Sequence, residues 1–298
     1  MFEQFQGRSL IKFTETFSTT EKCKNYLAEI KWKNGFRCPC CGHDQSWDGV
    51  KPYTKVCKNC RFIESVTSNT LFHKIKFDLR KAFLMLFEMS SSTKSCSSTT
   101  MAARFEINQK TAWLFMSKAR KAMKSSKANL LKGSCEADDC FIGGKEEGKI
   151  GRGAEKKKKL AIVIEKAGET GIKKAYAVKV NDFSAKELKK LFEAHVDPNA
   201  KVTTDKWKGY QSLVNEFSIY QQKSNPKENF RLIHRFIQGL KSWIRGIHHH
   251  VSDRFLQGYL NEYCYRFNRN RIKPQIFHLL VERMITTLPV TYKMLYNT

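Results

Sequence analysis

Residues 133–149, GSCEADDCFIGGKEEGK, gather five carboxylates in a chain that otherwise carries 54 Lys+Arg against 28 Asp+Glu. Carboxylates so closely spaced repel one another unless a metal ion, an arginine cluster or water sits among them. If CEADDCFI is a strand, alternation puts Glu136, Asp138 and Cys140 on one face and Ala137, Asp139 and Phe141 on the other. Asp138 is then a carboxylate on a buried strand, which is costly unless it holds a cation. Asp205, in KVTTDKWKGY, is a second such group at the end of a strand and just before a helix. Taken alone it equally suits a turn or an N-cap. On neighbouring strand ends the two carboxylates suit hard Mg2+ or Mn2+, ions that serve in-line displacement at phosphorus.

A second constellation is RCPCCGHDQSWDGVKPYTKVCKNC, in which Cys38-x2-Cys41 and Cys57-x2-Cys60 are separated by fifteen residues. Two such knuckles supply four thiolates for a tetrahedral, structural Zn2+. Gly42 stands where the first knuckle needs a residue without a Cβ. Cys40 is a spare thiol that could replace one of the ligands. So small a ribbon has almost no core without its ion, so its zinc is a scaffold.

The elements that must position these groups follow from the patterning. Residues 1–36 are a helical lead-in, with Ser18 and Glu21 at capping-box spacing. Residues 37–70 form the zinc ribbon. Residues 71–130 are helical and contain SSTTMAARFEINQKTAWLFMSKARKAMK (97–124), which reads as a helix through Phe105, a turn at Glu106–Asn108 and a second helix from Gln109. Ala102, Ala103, Ile107, Ala112, Trp113 and Met116 are the expected packing positions. Gln109, Lys110 and Thr111 would head a recognition helix, and Lys118, Arg120 and Lys121 would meet phosphates. From residue 131 to 298 the order is β-β-β-α-β-α-β-α, the last helical stretch running from about Asn229 to Leu280, a mixed sheet of the α/β or α+β kind. Arg152, in the basic run GRGAEKKKKL, and Arg245 are further expected DNA contacts.

The net charge of +26 implies a polyanionic partner, and nucleic acid fits it better than an anionic membrane. The longest apolar run, AFLMLF at 82–87, is far short of the roughly 18 residues of a spanning helix. No apolar signal region follows the N-terminus, so a cytoplasmic, DNA-associated protein with reduced cysteines is expected.

Three stretches in order, EADDCFIGGKEEGKIGRG, TDKWKGYQSL and LKSWIRGIHHHVSDRFLQGYLNEYCYRFNRN, resemble the DDE-type transposases of bacterial insertion sequences, in the branch with an N-terminal zinc ribbon and helix-turn-helix. The resemblance runs over nearly the whole chain. It implies a ribonuclease-H-like domain with acids on the first strand, at the end of the fourth, and on the helix after the fifth. Asp138 and Asp205 match the first two. The third place departs from the acidic pattern: residues 231–298 carry only Asp253, Glu262 and Glu282, and the position before Lys241 in RLIHRFIQGLK holds His234. Some members of the branch likewise have His or Asn there, followed by the Lys. An imidazole suits Mn2+ better than Mg2+. Glu228, just ahead of that helix, is the alternative third ligand, and Lys241 would offset phosphate charge.

The expectation is therefore a transposase that binds the inverted repeats of its element as double-stranded DNA, cleaves, and joins the freed end to target DNA. Asp138, Asp205, His234 and Lys241 would be catalytic, the first three binding Mg2+ or Mn2+, in a complex that is a homo-oligomer. A non-catalytic DNA-binding regulator and a structure-specific nuclease are the rivals.

Overall fold

The computed structural model describes residues 4–92, 94–126, 128–143, 157–225, 228–248 and 251–296. The chain folds as two compact units, one of Met1–Met123 with Arg271–Thr298 and one of Lys124–Asn270.

The first unit begins with α1 (Leu10–Thr16) and α2 (Thr20–Lys31). The cap of α2 is Thr19, one residue beyond the expected Ser18; its hydroxyl accepts the Lys22 N–H, while Ser18 Oγ takes the Lys22 ammonium. A three-stranded antiparallel sheet follows, β1 (Ser46–Asp48), β2 (Thr54–Cys57) and β3 (Ile63–Ser65). Next come α3 (Leu79–Ser91), α4 (Ser98–Phe105) and α5 (Gln109–Ala122). The α4–α5 turn forms because Glu106 adopts the left-handed conformation and Asn108 caps α5 through the Lys110 N–H. Ala102, Ala112 and Met116 are buried as expected, whereas Ala103 is exposed.

The second unit is a five-stranded mixed sheet in the order β6-β5-β4-β7-β8, with helices on both faces. Its elements are β4 (Ser134–Ile142), β5 (Lys158–Ala167), β6 (Gly171–Val180), α6 (Ala185–His195), β7 (Lys201–Thr204), a 3-10 helix (Lys208–Leu213), β8 (Ile219–Gln221), α7 (Arg231–Ile247) and α8 (Leu256–Phe267). β4 is antiparallel to β5 and parallel to β7, and β7 is parallel to β8. Alternation sorts the side chains of β5. Ile162 and Ile164 pack with Phe236 and Leu240 of α7 and Leu260 of α8, while Ala161 and Val163 pack with Leu188, Leu191 and Phe192 of α6. The order of strands follows the sequence pattern, but the helical stretch after Asn229 is broken between α7 and α8 and again after α8.

The chain then returns to the first unit in α9 (Ile276–Thr286) and α10 (Tyr292–Tyr296). This corrects the expectation that 131–298 is one domain. Phe277 of α9 lies with Phe5, Phe13, Phe17 and Phe83, ring centroids 4.9–5.7 Å away, and so joins the N-terminal aromatic core. The backbone agrees, since Leu71 N–H donates to the Met284 carbonyl at 2.9 Å.

Candidate active site and cysteine centre

β7 pairs with β4 only from Ser134 to Ala137, and its last residue, Thr204, lies opposite Ala137. Beyond that pair, among the described residues, β4 continues without a partner on this side, and the carboxyl ends of two parallel strands are the usual place for a site in such sheets. Asp138 is the next residue of β4 and Asp205 the first after β7. Carboxylate oxygens of Asp138, Asp139 and Asp205 lie within 4.8 Å of one another. At that separation each ionised pair repels by roughly 3 kcal/mol at an effective dielectric of about 20. Three such carboxylates fit a hard divalent cation, which would turn that repulsion into coordination.

Asp139 was expected on the far side of the strand, yet its carboxylate joins the group. The two aspartates are coupled at the backbone, where the Asp139 N–H donates to Asp138 Oδ1 at 2.8 Å. Asp205 is held just as locally: its Oδ1 accepts the Trp207 N–H at 3.1 Å, and its carbonyl accepts Gln221 Nε2 at 3.0 Å. Trp207 is fixed in turn by its indole N–H, which donates to the Phe183 carbonyl at 2.7 Å.

α7 brings His234 to the same strand end, with Nε2 at 3.2 Å from Asp138 Oδ2. That hydrogen bond holds the imidazole above its ordinary pKa, against the opposing effect of its partial burial. Glu228, the alternative third ligand, is exposed and lies outside the acid group. Lys241, two turns along α7 from His234, is close enough for its charge to act on the Cys140 thiol, the next residue on the Asp138 face. Glu136, on that face too, is buried; its carboxylate accepts the Ile233 N–H and lies 3.8 Å from the Lys166 ammonium.

In the first unit the sulfurs of Cys38, Cys41, Cys57 and Cys60 lie within 4.8 Å of one another. Cys38–Cys60 and Cys41–Cys57 are 3.5 and 3.6 Å apart, near the ~3.8 Å edge of a tetrahedron with Zn–S bonds of about 2.3 Å. The four thiols can thus hold Zn2+, and Cys40 is exposed outside the set. The knuckles are built alike: Gly42 N–H donates to Cys38 O as Arg61 N–H does to Cys57 O. Both donors have positive φ, so the second knuckle places an arginine where the first has glycine. Among the described residues, the apolar side chains that pack on the cysteines are Trp32, Phe36 and Phe62, too few to hold the ribbon unaided.

Of the expected DNA contacts, Gln109 and Lys110 are exposed at the head of α5, with Thr111 half-buried. Gln109 Nε2 is engaged by Ser98 Oγ at 2.8 Å. Lys121 and Arg245 are exposed. Lys118 and Arg120 are not on the surface: they are 7% and 4% exposed, and Lys118 Nζ donates to the His73 carbonyl. Their assignment as phosphate contacts is corrected accordingly. α9 covers this flank of α5, with Arg283 donating to the Ala122 carbonyl. Arg152 lies outside the described residues.

No helix among the described residues is long and apolar enough to cross a membrane. Residues 130–268 match the profile of the ISXO2-like transposase domain. The chain is also similar to an uncharacterized protein in the transposable element ISH50 of Halobacterium salinarum, at 20% identity over 215 residues, which cover 67% of this chain and 71% of that protein. The five-stranded sheet, the three aspartates and His234 all fall within the matched segment, so the similarity to the ISXO2-like transposase domain spans the elements that build the acid site.

Proposed function

We propose that the protein is a DNA transposase with a ribonuclease-H-like catalytic unit, acting on the ends of an insertion sequence. The observation that carries this reading is the convergence of Asp138 and Asp205 at adjacent parallel strand ends inside the matched domain. Asp138, Asp205 and His234 would hold Mg2+ or Mn2+, with Asp139 within reach; a bound divalent ion would supply charge neutralisation at phosphorus. Water attacks the scissile phosphorus, the bond to the 3′ oxygen breaks, and that oxygen leaves with a proton as a free hydroxyl. In the second step this hydroxyl attacks a target phosphodiester and displaces another 3′ oxygen, so the number of phosphodiester bonds is unchanged. Lys241 offsets phosphate charge beside the acids.

The zinc-held ribbon and the α4–α5 pair would bind the inverted repeats. Gln109, Lys110 and Thr111 face base edges, and Lys121 and Arg245 meet phosphates, with Arg152 assigned to the same task from sequence. The active complex is a homo-oligomer on double-stranded DNA. The non-acidic third position favours a second reading, a DNA-binding regulator that has lost the chemistry.

The test is cleavage and joining of a labelled element end across Mg2+ and Mn2+ titrations. Asp138→Asn and Asp205→Asn are expected to abolish both steps while leaving DNA binding intact. If Asp138→Asn cuts and joins as well as the parent, the regulator reading replaces this one, and cutting without joining would identify a nuclease.

A further inference from the structure

α7 begins without a cap of its own. Its N-cap residue, Phe230, is in the left-handed conformation and offers no side-chain hydrogen bond to the first turn. The first amides of a helix need partners, and an N-cap side chain ordinarily serves the second or third of them. Here the third, the N–H of Ile233, is taken from another element: Glu136 Oε2 of β4 accepts it at 3.3 Å. Glu136 is only 8% exposed, so its charge needs compensation, which comes from the positive end of α7 and from Lys166. This carboxylate therefore ties the strand two residues before Asp138 to the helix one residue before His234. It belongs to neither the acid group nor any other candidate metal cluster among the described residues.

We propose that Glu136 is the positioning residue of the acid site, capping α7 from the neighbouring strand and thereby holding His234 against Asp138. The inference rests on the catalytic reading only for its effect on cleavage; the positioning itself is a property of the metal-free chain. Glutamine at this position keeps the acceptor oxygen without the charge and alanine removes both, so the two variants separate capping from the effect of the buried charge.

The experiment uses the full chain with ring-15N histidine and without added divalent metal, the His234 resonance being assigned by its loss in His234→Gln. Amide exchange over 230–236 and cleavage activity are measured alongside. Glu136→Ala is expected to shift the His234 ring signals towards those of a free imidazole and to speed exchange of the first turn about tenfold, the usual scale of a lost cap. Cleavage should fall by at least the same factor. Glu136→Gln should restore all three to within a few fold. Unmoved His234 signals in a folded Glu136→Ala protein would overturn the proposal, as would a Gln variant no better than Ala. A parent that never cleaves DNA would sink the catalytic reading instead, leaving the ring-signal and exchange results to decide the positioning.

Discussion

Gly209 is the residue on which the placement of Asp205 can be tested most directly. A Cβ added there would stand 2.4 Å from the Phe183 carbonyl oxygen, 2.7 Å from Trp207 Nε1 and 2.9 Å from Leu188 Cδ1. The first two atoms are the partners of the 2.7 Å hydrogen bond that fixes the indole, so the methyl would be driven into that bond. Ordinary contact begins near 3.4 Å, so a shift of about 1 Å is required. Overpacking of this kind costs about 1–3 kcal/mol, and an orphaned buried donor about 1–3 kcal/mol more. Gly209→Ala should therefore destabilise the sheet unit by about 2–6 kcal/mol, read as a lower urea midpoint of its unfolding transition. Because Trp207 N–H is what Asp205 Oδ1 accepts, cleavage measured well below that midpoint should fall as well. In a Trp207→Phe background the indole donor is already gone, so the added cost of Gly209→Ala should shrink by about 1 kcal/mol or more. A Gly209→Ala protein as stable as the parent to within about 0.5 kcal/mol, with undiminished cleavage, would refute the chain of support from Phe183 to Asp205.

Asp139→Asn separates the structure from simple alternation: its carboxylate lies with Asp138 and Asp205, so a loss of cleavage of about tenfold or more is expected, where an outward-facing residue would give none. Cys57→Ser should lose the bound zinc by elemental analysis, whereas Cys40→Ser should keep about one Zn2+ per chain; the opposite pattern would reassign the ligands. His195, stacked on Tyr176 with Nδ1 lacking a partner among the described residues, has its pKa lowered by burial to about 4. Its folded value is below the unfolded one, so the unfolded chain binds more protons between about pH 6.5 and 4, and stability present above that window is lost as pH falls through it. His195→Phe should flatten this acid dependence by up to about 3 kcal/mol, measured by urea unfolding across the window.

The cysteine centre was legible because its chemistry is local: two short knuckles carry their ligands at fixed spacing, and the spare Cys40 was the sole ambiguity. Asp138 was legible as a carboxylate inside a strand pattern, whereas Asp205, which alone equally suits a turn or an N-cap, was set beside it by the resemblance. Asp139 was not, since alternation fixes the direction of a Cβ but not where the carboxylate beyond it leans once the neighbouring strand has ended. Glu136 reads in sequence as one more acid of the cluster; its bond to Ile233 joins residues 97 apart and has no local signal. Lys118 and Arg120 failed for the same reason. Their helix looks basic and solvated, and the segments that bury it come from His73 and from α9, distant in sequence. The assignment of α9 itself was beyond periodicity, because an apolar stripe declares that a core exists without saying which one it joins.

Phe277 also sets an order of events during synthesis. Its partners Phe5, Phe13, Phe17 and Phe83 leave the ribosome long before it does, and their core stays open until α9 has emerged. The sheet unit, by contrast, has its five strands and its packing helices α6, α7 and α8 by Asn270. The unit that starts the chain is thus the last to be completed, the reverse of the usual N-to-C order. A chain stopped anywhere between Asn270 and Phe277 would release a finished sheet attached to an uncovered aromatic surface, a fragment bound for aggregation or proteolysis.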